Sequence, residues 1–370
     1  MTEQIPDPAV KTIEARRNAK REIIQLMISL AIGKVVVLLS VFFCDPSINF
    51  FHMMNTRWDS IIFQNIATQG YTQVSQYAFS PVYPALIHGM DFITGHSWVS
   101  AFIITNIISF IFPLVLHKTF GFRTALLAIL FPTYLVFTTI PYSDVIVLLF
   151  LALSLFFMVR EKFIAASAMI SLAIFGAFRQ AWLLPAYGIE ILKTKRLINV
   201  TFFILPYLIG VLILLWFELR TGNFLTYFSI EANTWGVNFA TPIHQILWLL
   251  DNQIVNRIWE VLGIQIMPPY WLVRNLLFEV FYLVGTFLML RTNHKHREFL
   301  FLYSLFAIIP LLCVIGTPAI SIPRLLLPAF PAFLGYAAIM NKKWHYWTYA
   351  ALCLVASAWV SISQAYSFFA

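Results

Sequence analysis

One aspartate and a scatter of arginines carry most of the chemistry this sequence can do. Asp59 lies between Trp58 and Ser60, and Arg57, Arg179, Arg220, Arg257, Arg274 and Arg324 fall in or at the edges of gaps between apolar runs, while nearly all the lysines lie in other gaps. Arginine presents a planar fork of donors that holds phosphate bidentately, whereas lysine is a point charge. An all-arginine set on the membrane face where positive charge is disfavoured points to retained anion contacts, and so to a lipid-phosphate site. Asp59 beside apolar bulk would hold its proton more tightly than a solvated carboxylate and suits a general base near neutral pH. The plainer reading is a solvated acid at the start of an interfacial helix. The segment alone leaves both open.

The environment that must position these groups follows from composition. Of 370 residues, 60% are hydrophobic and 11% charged, with mean hydropathy +0.81. A soluble domain carries roughly a quarter charged residues, so the chain reads as an all-α polytopic membrane protein. Net charge +8 and a pI near 9.4 would also suit nucleic acid. The basic residues are spread over short gaps between apolar runs, however, as the positive-inside bias requires, and nucleic-acid binding is set aside. Cys44, Cys313 and Cys353 are far apart in or at the ends of apolar runs, without metal-type spacing, and read as packing residues.

Apolar runs fall at 22–43, 97–116, 124–140, 143–159, 163–176, 180–192, 197–217, 270–290, 298–316, 323–340 and 345–366. They predict about eleven transmembrane helices, several shorter than the ~20 residues a span needs. Lys11, Arg16, Arg17, Lys20 and Arg21 precede the first run, so residues 1–21 read as a cytoplasmic tail before an uncleaved anchor. Lys34, inside that anchor, is the exception to the pattern. Alternation then places Lys118 and Arg123, Arg160 and Lys162, Lys193, Lys195 and Arg196, Arg291, Lys295 and Arg297, and Lys342 and Lys343 inside. Every inside gap is basic. The outside keeps the arginines and two longer segments, 44–96 and 218–269, within a single membrane domain, 1–370. The short runs 163–176 and 180–192 would also suit a broken or re-entrant pair. The sequon Asn199-Val200-Thr201 falls at an inside edge, where it would not be glycosylated.

In the first outer segment, helical spacing groups Trp58, Ile62, Ile66 and Phe63 on one face of an interfacial helix, with Asp59 at its edge. Gly70-Tyr71 ends that helix. Pro81 and Pro84 argue against a simple helix after it and for a turn into the next apolar segment.

The string WDSIIFQNIATQGY followed by YAFSPVYPALI resembles the first luminal loop of the PIG-V type mannosyltransferases, which add the second mannose in GPI-anchor synthesis and have prokaryotic relatives. Trp58, Asp59, Phe63, Ile66, Ala67, Gly70, Tyr71, Ala78, Phe79, Pro81, Tyr83 and Pro84 match at the family's spacing. Weaker matches follow at Tyr142, Ser143 and Asp144, at Arg179, at Trp235, Val237 and Phe239, and at Arg324 and Pro328. The chain departs at Ile62, where the family often has His or Trp, at Asp144 for Glu, at Gln180 for Ser and at Glu231 for Gln. These departures bear on the acceptor more than on the reaction class.

The resemblance implies a GT-C type glycosyltransferase that uses a polyprenyl-phosphate sugar such as dolichyl-phosphate mannose, inverts the anomeric centre and delivers mannose to a lipid-linked, GPI-precursor-like glycan. It would lie in the endoplasmic reticulum membrane of a eukaryote or the cell membrane of a prokaryote, with room for a small membrane partner subunit. On that reading Asp59 is the base; Arg324, Arg179 and Arg57 hold the donor phosphate; and Trp58, Asp144, Tyr142, Glu231 and Trp235 contact sugar or acceptor. Without a Gly-rich phosphate loop, an Asp-x-Asp pair or a histidine cluster, the sequence requires neither a cofactor nor a metal.

Each secondary residue has a plainer role. Asp144 would cap a helix with Ser143, Arg57 would snorkel to headgroups, and Glu231 and Trp235 would pack in a loop helix. His52, His96 and His244 stand alone and suit interface hydrogen bonds. Glu279 would face the protein interior and pair with Arg274. Two other functions fit a chain with these spans: a lipid-linked-sugar transporter, although no matching halves are seen, and a non-catalytic subunit of a glycosyltransferase complex.

Overall fold

The computed structural model describes residues 8–44, 58–194, 197–251, 259–261, 264–266, 269–316 and 321–366. Each apolar run of the sequence forms helix. The first helix, α1 (Pro8–Cys44), packs against the last, α17 (Lys343–Tyr366). Among the described residues, three helices are long and apolar enough to cross a membrane by themselves: α1 over Arg17–Phe43, α4 (Ser97–Phe120) and α10 (Leu197–Thr221) over Ile198–Thr221. The count of about eleven full spans is therefore not reproduced as eleven long rods, because several runs are broken.

The breaks have local causes. Run 124–140 splits into α5 (Phe122–Leu130) and α6 (Pro132–Phe137) at Pro132, which starts the second helix where no N–H is needed. Runs 163–176 and 180–192 become α8 (Phe163–Gly176) and α9 (Leu184–Lys193), separated by extended Ala177 and a 3-10 turn, Phe178–Leu183. Run 323–340 becomes α15 (Ile322–Leu325), a 3-10 turn at Leu327–Ala329, and α16 (Ala332–Ile339), with Pro323, Pro328 and Pro331 punctuating it.

The described part of segment 44–96, from Trp58, is more regular than its prolines suggest. After α2 (Asp59–Gln69), which ends at Gly70 with φ 73°, and a 3-10 turn at Val74–Ala78, a second helix, α3 (Val82–Thr94), begins directly after Pro81. Pro84 lies in its first turn, where backbone N–H groups have no intrahelical partner and proline costs little. The buried face of α2 also differs from the helical-spacing estimate. It comprises Ser60, Phe63, Gln64, Ile66 and Ala67, while Ile62 is only part-buried and Trp58, at the cap with φ 54°, is exposed.

That face seats α2. Phe63 and Ala67 join Tyr83 and Ile87 of α3, Ala101 of α4, and Val145 and Ile146 of α7 (Asp144–Met158) in a small apolar cluster. Phe63 meets the rings of Phe79 and Tyr83 edge-on at 5.3 and 5.1 Å. The Tyr83 hydroxyl donates to the Ala101 carbonyl at 3.0 Å. The start of α2 is thereby set beside the start of α7.

Strand pairing is minor. Asn238–Phe239 (β1) pairs antiparallel with Val314–Ile315 (β4), tying the stretch that follows α10 to the end of α14 (Arg297–Leu312), and Trp259–Val261 (β2) pairs with Ile264–Ile266 (β3). Several basic gaps meet one another: Arg160 donates to the Lys118 carbonyl at 2.7 Å, Lys295 pairs with Glu161 at 2.6 Å and Lys193 with Glu298 at 3.3 Å.

Helices α13 (Pro269–Met289) and α16 approach closely. A Cβ on Gly335 would stand 2.0 Å from the Gly285 carbonyl oxygen and 2.8 Å from the Met289 nitrogen. Only the small residues let these backbones approach. Gly335→Ala is expected to destabilise the protein by about 1–3 kcal/mol, seen as a lowered melting temperature in detergent. Gly210→Ala, in α10 with nothing within 4 Å of its Cβ, is the control and should lower it little. Equal melting of the two variants would show that the α13–α16 contact is looser than described.

Candidate active site

The breaks in the helices bring the charged residues together. Asp59 is the first residue of α2, Asp144 the first of α7, Arg179 lies in the 3-10 turn between α8 and α9, and Arg324 lies in α15. Arg324 Nη1 donates to Asp59 Oδ2 at 2.7 Å across 265 residues of sequence. Its Nε lies 3.9 Å from Asp144 Oδ2, within Coulomb range but beyond a hydrogen bond. Arg179 Nη2 donates to Asp144 Oδ1 at 2.9 Å. Glu231, on α11 (Thr226–Thr234), feels Arg179 and shares a hydrogen bond with Tyr227. The order Asp59, Arg324, Asp144, Arg179, Glu231 thus alternates in sign.

Arg324 is 8% exposed, and its guanidinium lies over Tyr142 at 5.0 Å and Phe137 at 5.7 Å. Tyr142 is fully buried beneath it. A guanidinium so placed gains from both rings and from both aspartates, the arrangement that makes a buried charge tolerable. Arg179 is the more open arginine, with 34% of its side chain exposed. The buried Nε of each arginine and the buried Nε2 of Gln180 have no hydrogen-bond partner.

These groups face one cavity of about 610 Å³. Asp59, Asp144, Arg179, Arg324, Glu231 and Trp235 line it, so the structure brings together six of the residues singled out from the sequence. Tyr142 stands behind Arg324, and Trp58 is 39% exposed; neither is on the cavity wall. Arg57 and Arg257 lie outside the described residues. Arg220, at the end of α10, does not line the cavity, and Arg274 is buried on α13, where it donates to Asn275 Oδ1 at 2.9 Å. Glu279 is buried with Oε1 unbonded.

Most of the wall is apolar, from residues such as Phe175, Phe178, Leu183, Ile213, Phe217 and Leu311. Trp182 and Phe239, both half exposed or more, stand 6.0 Å apart at the same wall. Tyr227 had no motif that marked it as functional, and Gln180 stood out only as a departure beside Arg179. Tyr227 sits four residues before Glu231, one helical turn away, and that spacing was the available signal.

Glu231 holds its proton above the ordinary carboxylate value of 4.5: burial raises it, and Arg179 and the Tyr227 hydrogen bond only partly offset the effect. A raised value means the folded state binds the proton more tightly than the unfolded chain, so ionisation of Glu231 opposes folding. The stabilising contribution is complete below pH 4.5 and is lost as pH rises through the shifted value. Glu231→Gln should therefore melt at a higher temperature than the wild type at pH 8, with the gap closing towards pH 4. A lower melting temperature for the variant at pH 8 would mean that attraction to Arg179 outweighs burial.

No family model matches the chain, and no curated protein matches it. Among solved structures it is similar to ArnT from Cupriavidus metallidurans, both in the apo state (TM-score 0.52, 12% identity, 88% of this chain and 61% of that one) and bound to undecaprenyl phosphate (TM-score 0.52, 13% identity, 92% and 65%). The chain spans less than two thirds of ArnT's length. At that level of identity the likeness concerns the fold alone, which this integral membrane protein shares with ArnT.

Proposed function

We propose that the chain is a GT-C glycosyltransferase that moves a sugar from a polyprenyl-phosphate donor to a hydroxyl of a lipid-linked acceptor, with inversion and without a metal. The observation that carries this reading is the pairing, in one largely apolar cavity, of two aspartates with two arginines that each keep a buried, unbonded Nε. The apolar wall suits a prenyl chain, and ArnT, which shares the fold, has been seen with undecaprenyl phosphate bound.

In the proposed reaction the acceptor oxygen attacks the anomeric carbon as the bond from that carbon to the phosphate oxygen breaks. The acceptor proton passes to Asp59, and the lipid phosphate leaves as an anion. Arg179, the open arginine, meets that phosphate and stabilises the charge that develops on it, a contribution of about 2–4 kcal/mol for a well-placed donor. Arg324 divides its role: it orients Asp59 through the 2.7 Å bond and adds positive charge behind the reacting centre. Glu231 and Trp235 line the same cavity, Glu231 within electrostatic reach of Arg179, and suit hydroxyls and a sugar ring. Mannose as the sugar and a GPI-precursor-like glycan as the acceptor follow the resemblance to the PIG-V type enzymes, as does an outward-facing site with a cytoplasmic N-terminus. The mutual contacts of the basic gaps at one end of the bundle support that orientation.

The test is transfer from radiolabelled polyprenyl-phosphate mannose to lipid acceptors in membranes carrying the wild type or Asp59→Asn at matched expression. Loss of about 100-fold or more in the variant is expected, the scale of a missing general base. Undiminished transfer would place the base elsewhere, and absence of transfer by the wild type with any acceptor would remove the enzymatic reading in favour of a subunit role.

A further inference from the structure

Lys34 is the one lysine within the apolar stretch of α1, and the site described above does not use it. It is 5% exposed. Its ammonium donates to Asn106 Oδ1 of α4 at 2.9 Å and to the carbonyl of Thr138, with Thr139 Oγ1 at 3.4 Å. Three donors therefore meet three acceptors. No carboxylate pairs with it in these contacts. A cation inside a membrane helix is costly, and its retention calls for a specific partner.

The partner is the end of α6. Thr138 is the residue that caps that helix, and its carbonyl is at the negative end of the helix dipole, where a cation is stabilised. From there the chain runs through Thr139, Ile140, Pro141, Tyr142 and Ser143 to Asp144 with little regular structure. Ser60 Oγ holds the middle of this connection by donating to the Pro141 carbonyl at 3.0 Å. Arg179 and Arg324 hold its far end. Without Lys34 the near end would keep a weak Asn106 contact at 3.4 Å and bonds to its own helix, where the Thr138 and Thr139 hydroxyls donate to the Tyr134 and Leu135 carbonyls at 2.7 and 2.6 Å, but it would have no strong tie to α1 or α4.

We propose that Lys34 is a positioning residue of the active site: its ammonium pins the 138–143 connection so that Tyr142 backs Arg324 and Asp144 meets Arg179. The proposal rests on the glycosyltransferase reading for its catalytic consequence, and on geometry alone for the pinning. None of the three residues that accept from Lys34 lines the cavity, so it acts through the connection.

The experiment compares wild type, Lys34→Met and the exchanged pair Lys34→Asn with Asn106→Lys, each as the full chain in lipid nanodiscs. Hydrogen exchange at the amides of Thr139, Ile140 and Tyr142 reads the pinning directly. Transfer from polyprenyl-phosphate mannose reads its consequence, and melting reports folding. The expected result is that Lys34→Met exchanges these amides about tenfold faster or more and lowers kcat by a similar factor with KM nearly unchanged, since small misplacement at a reacting centre is costly. The exchanged pair, which returns an amine to the same pocket from α4, should recover protection and most of the rate. Protection equal to wild type in Lys34→Met would overturn the proposal, as would a loss of rate that only follows loss of folded protein. If the wild type transfers no sugar, the functional reading falls, and amide exchange alone decides whether Lys34 pins the connection.

Discussion

The bond between Arg324 and Asp59 is the constraint on which the site depends. It joins the start of α2 to α15 in the last broken run, and it does so where both side chains are largely withdrawn from water. A charge in such a place must be compensated, and removing one partner leaves the other uncompensated at a cost of several kcal/mol. Arg324 cannot be satisfied by Asp59 alone, so Asp144 stands on its other side and two aromatic rings lie against it. Asp144 in turn draws Arg179, and Arg179 draws Glu231. The alternation of sign is a consequence of burying several charges together.

Broken helices make this possible. An intact α-helix satisfies its own backbone and offers only side chains to a cavity, while a break exposes helix starts and turns from which short side chains can reach inward. Asp59 and Asp144 open helices, and their negative charge is favourable at those positive ends. Arg179 lies in a 3-10 turn between two helices, and Arg324 in the single turn of α15. The prolines and the extended residue that interrupt the apolar runs thus belong to the site as much as the charges do. Helices that contribute no charge to the cavity wall, such as α1, α4 and α10, are long.

The amino-acid sequence by itself determined a good part of this. Composition required a membrane protein, because so few charges cannot solvate a domain of this size. Asp59, Asp144, Arg179, Arg324, Glu231 and Trp235 were distinguishable beforehand, since ionisable and amphipathic residues are rare in such a chain and their motif spacing was recognisable. The apolar runs marked where helix would form, because in hydrocarbon the backbone must satisfy its own hydrogen bonds.

Tertiary structure decided what those residues are to one another. No local pattern pairs Asp59 with an arginine 265 residues away, or shows that Tyr142 lies behind the guanidinium and Trp58 off the cavity wall, because such placements depend on packing between helices distant in sequence. The face of α2 that is buried was likewise chosen by its neighbours: Phe63 and Ala67 found Tyr83, Ile87 and Val145, and Trp58 was left at the rim. Lys34 shows the same division. Its presence in an apolar helix was visible from the sequence, but its meaning came only with Asn106, Thr138 and Thr139, acceptors that folding alone brings within reach of one ammonium group.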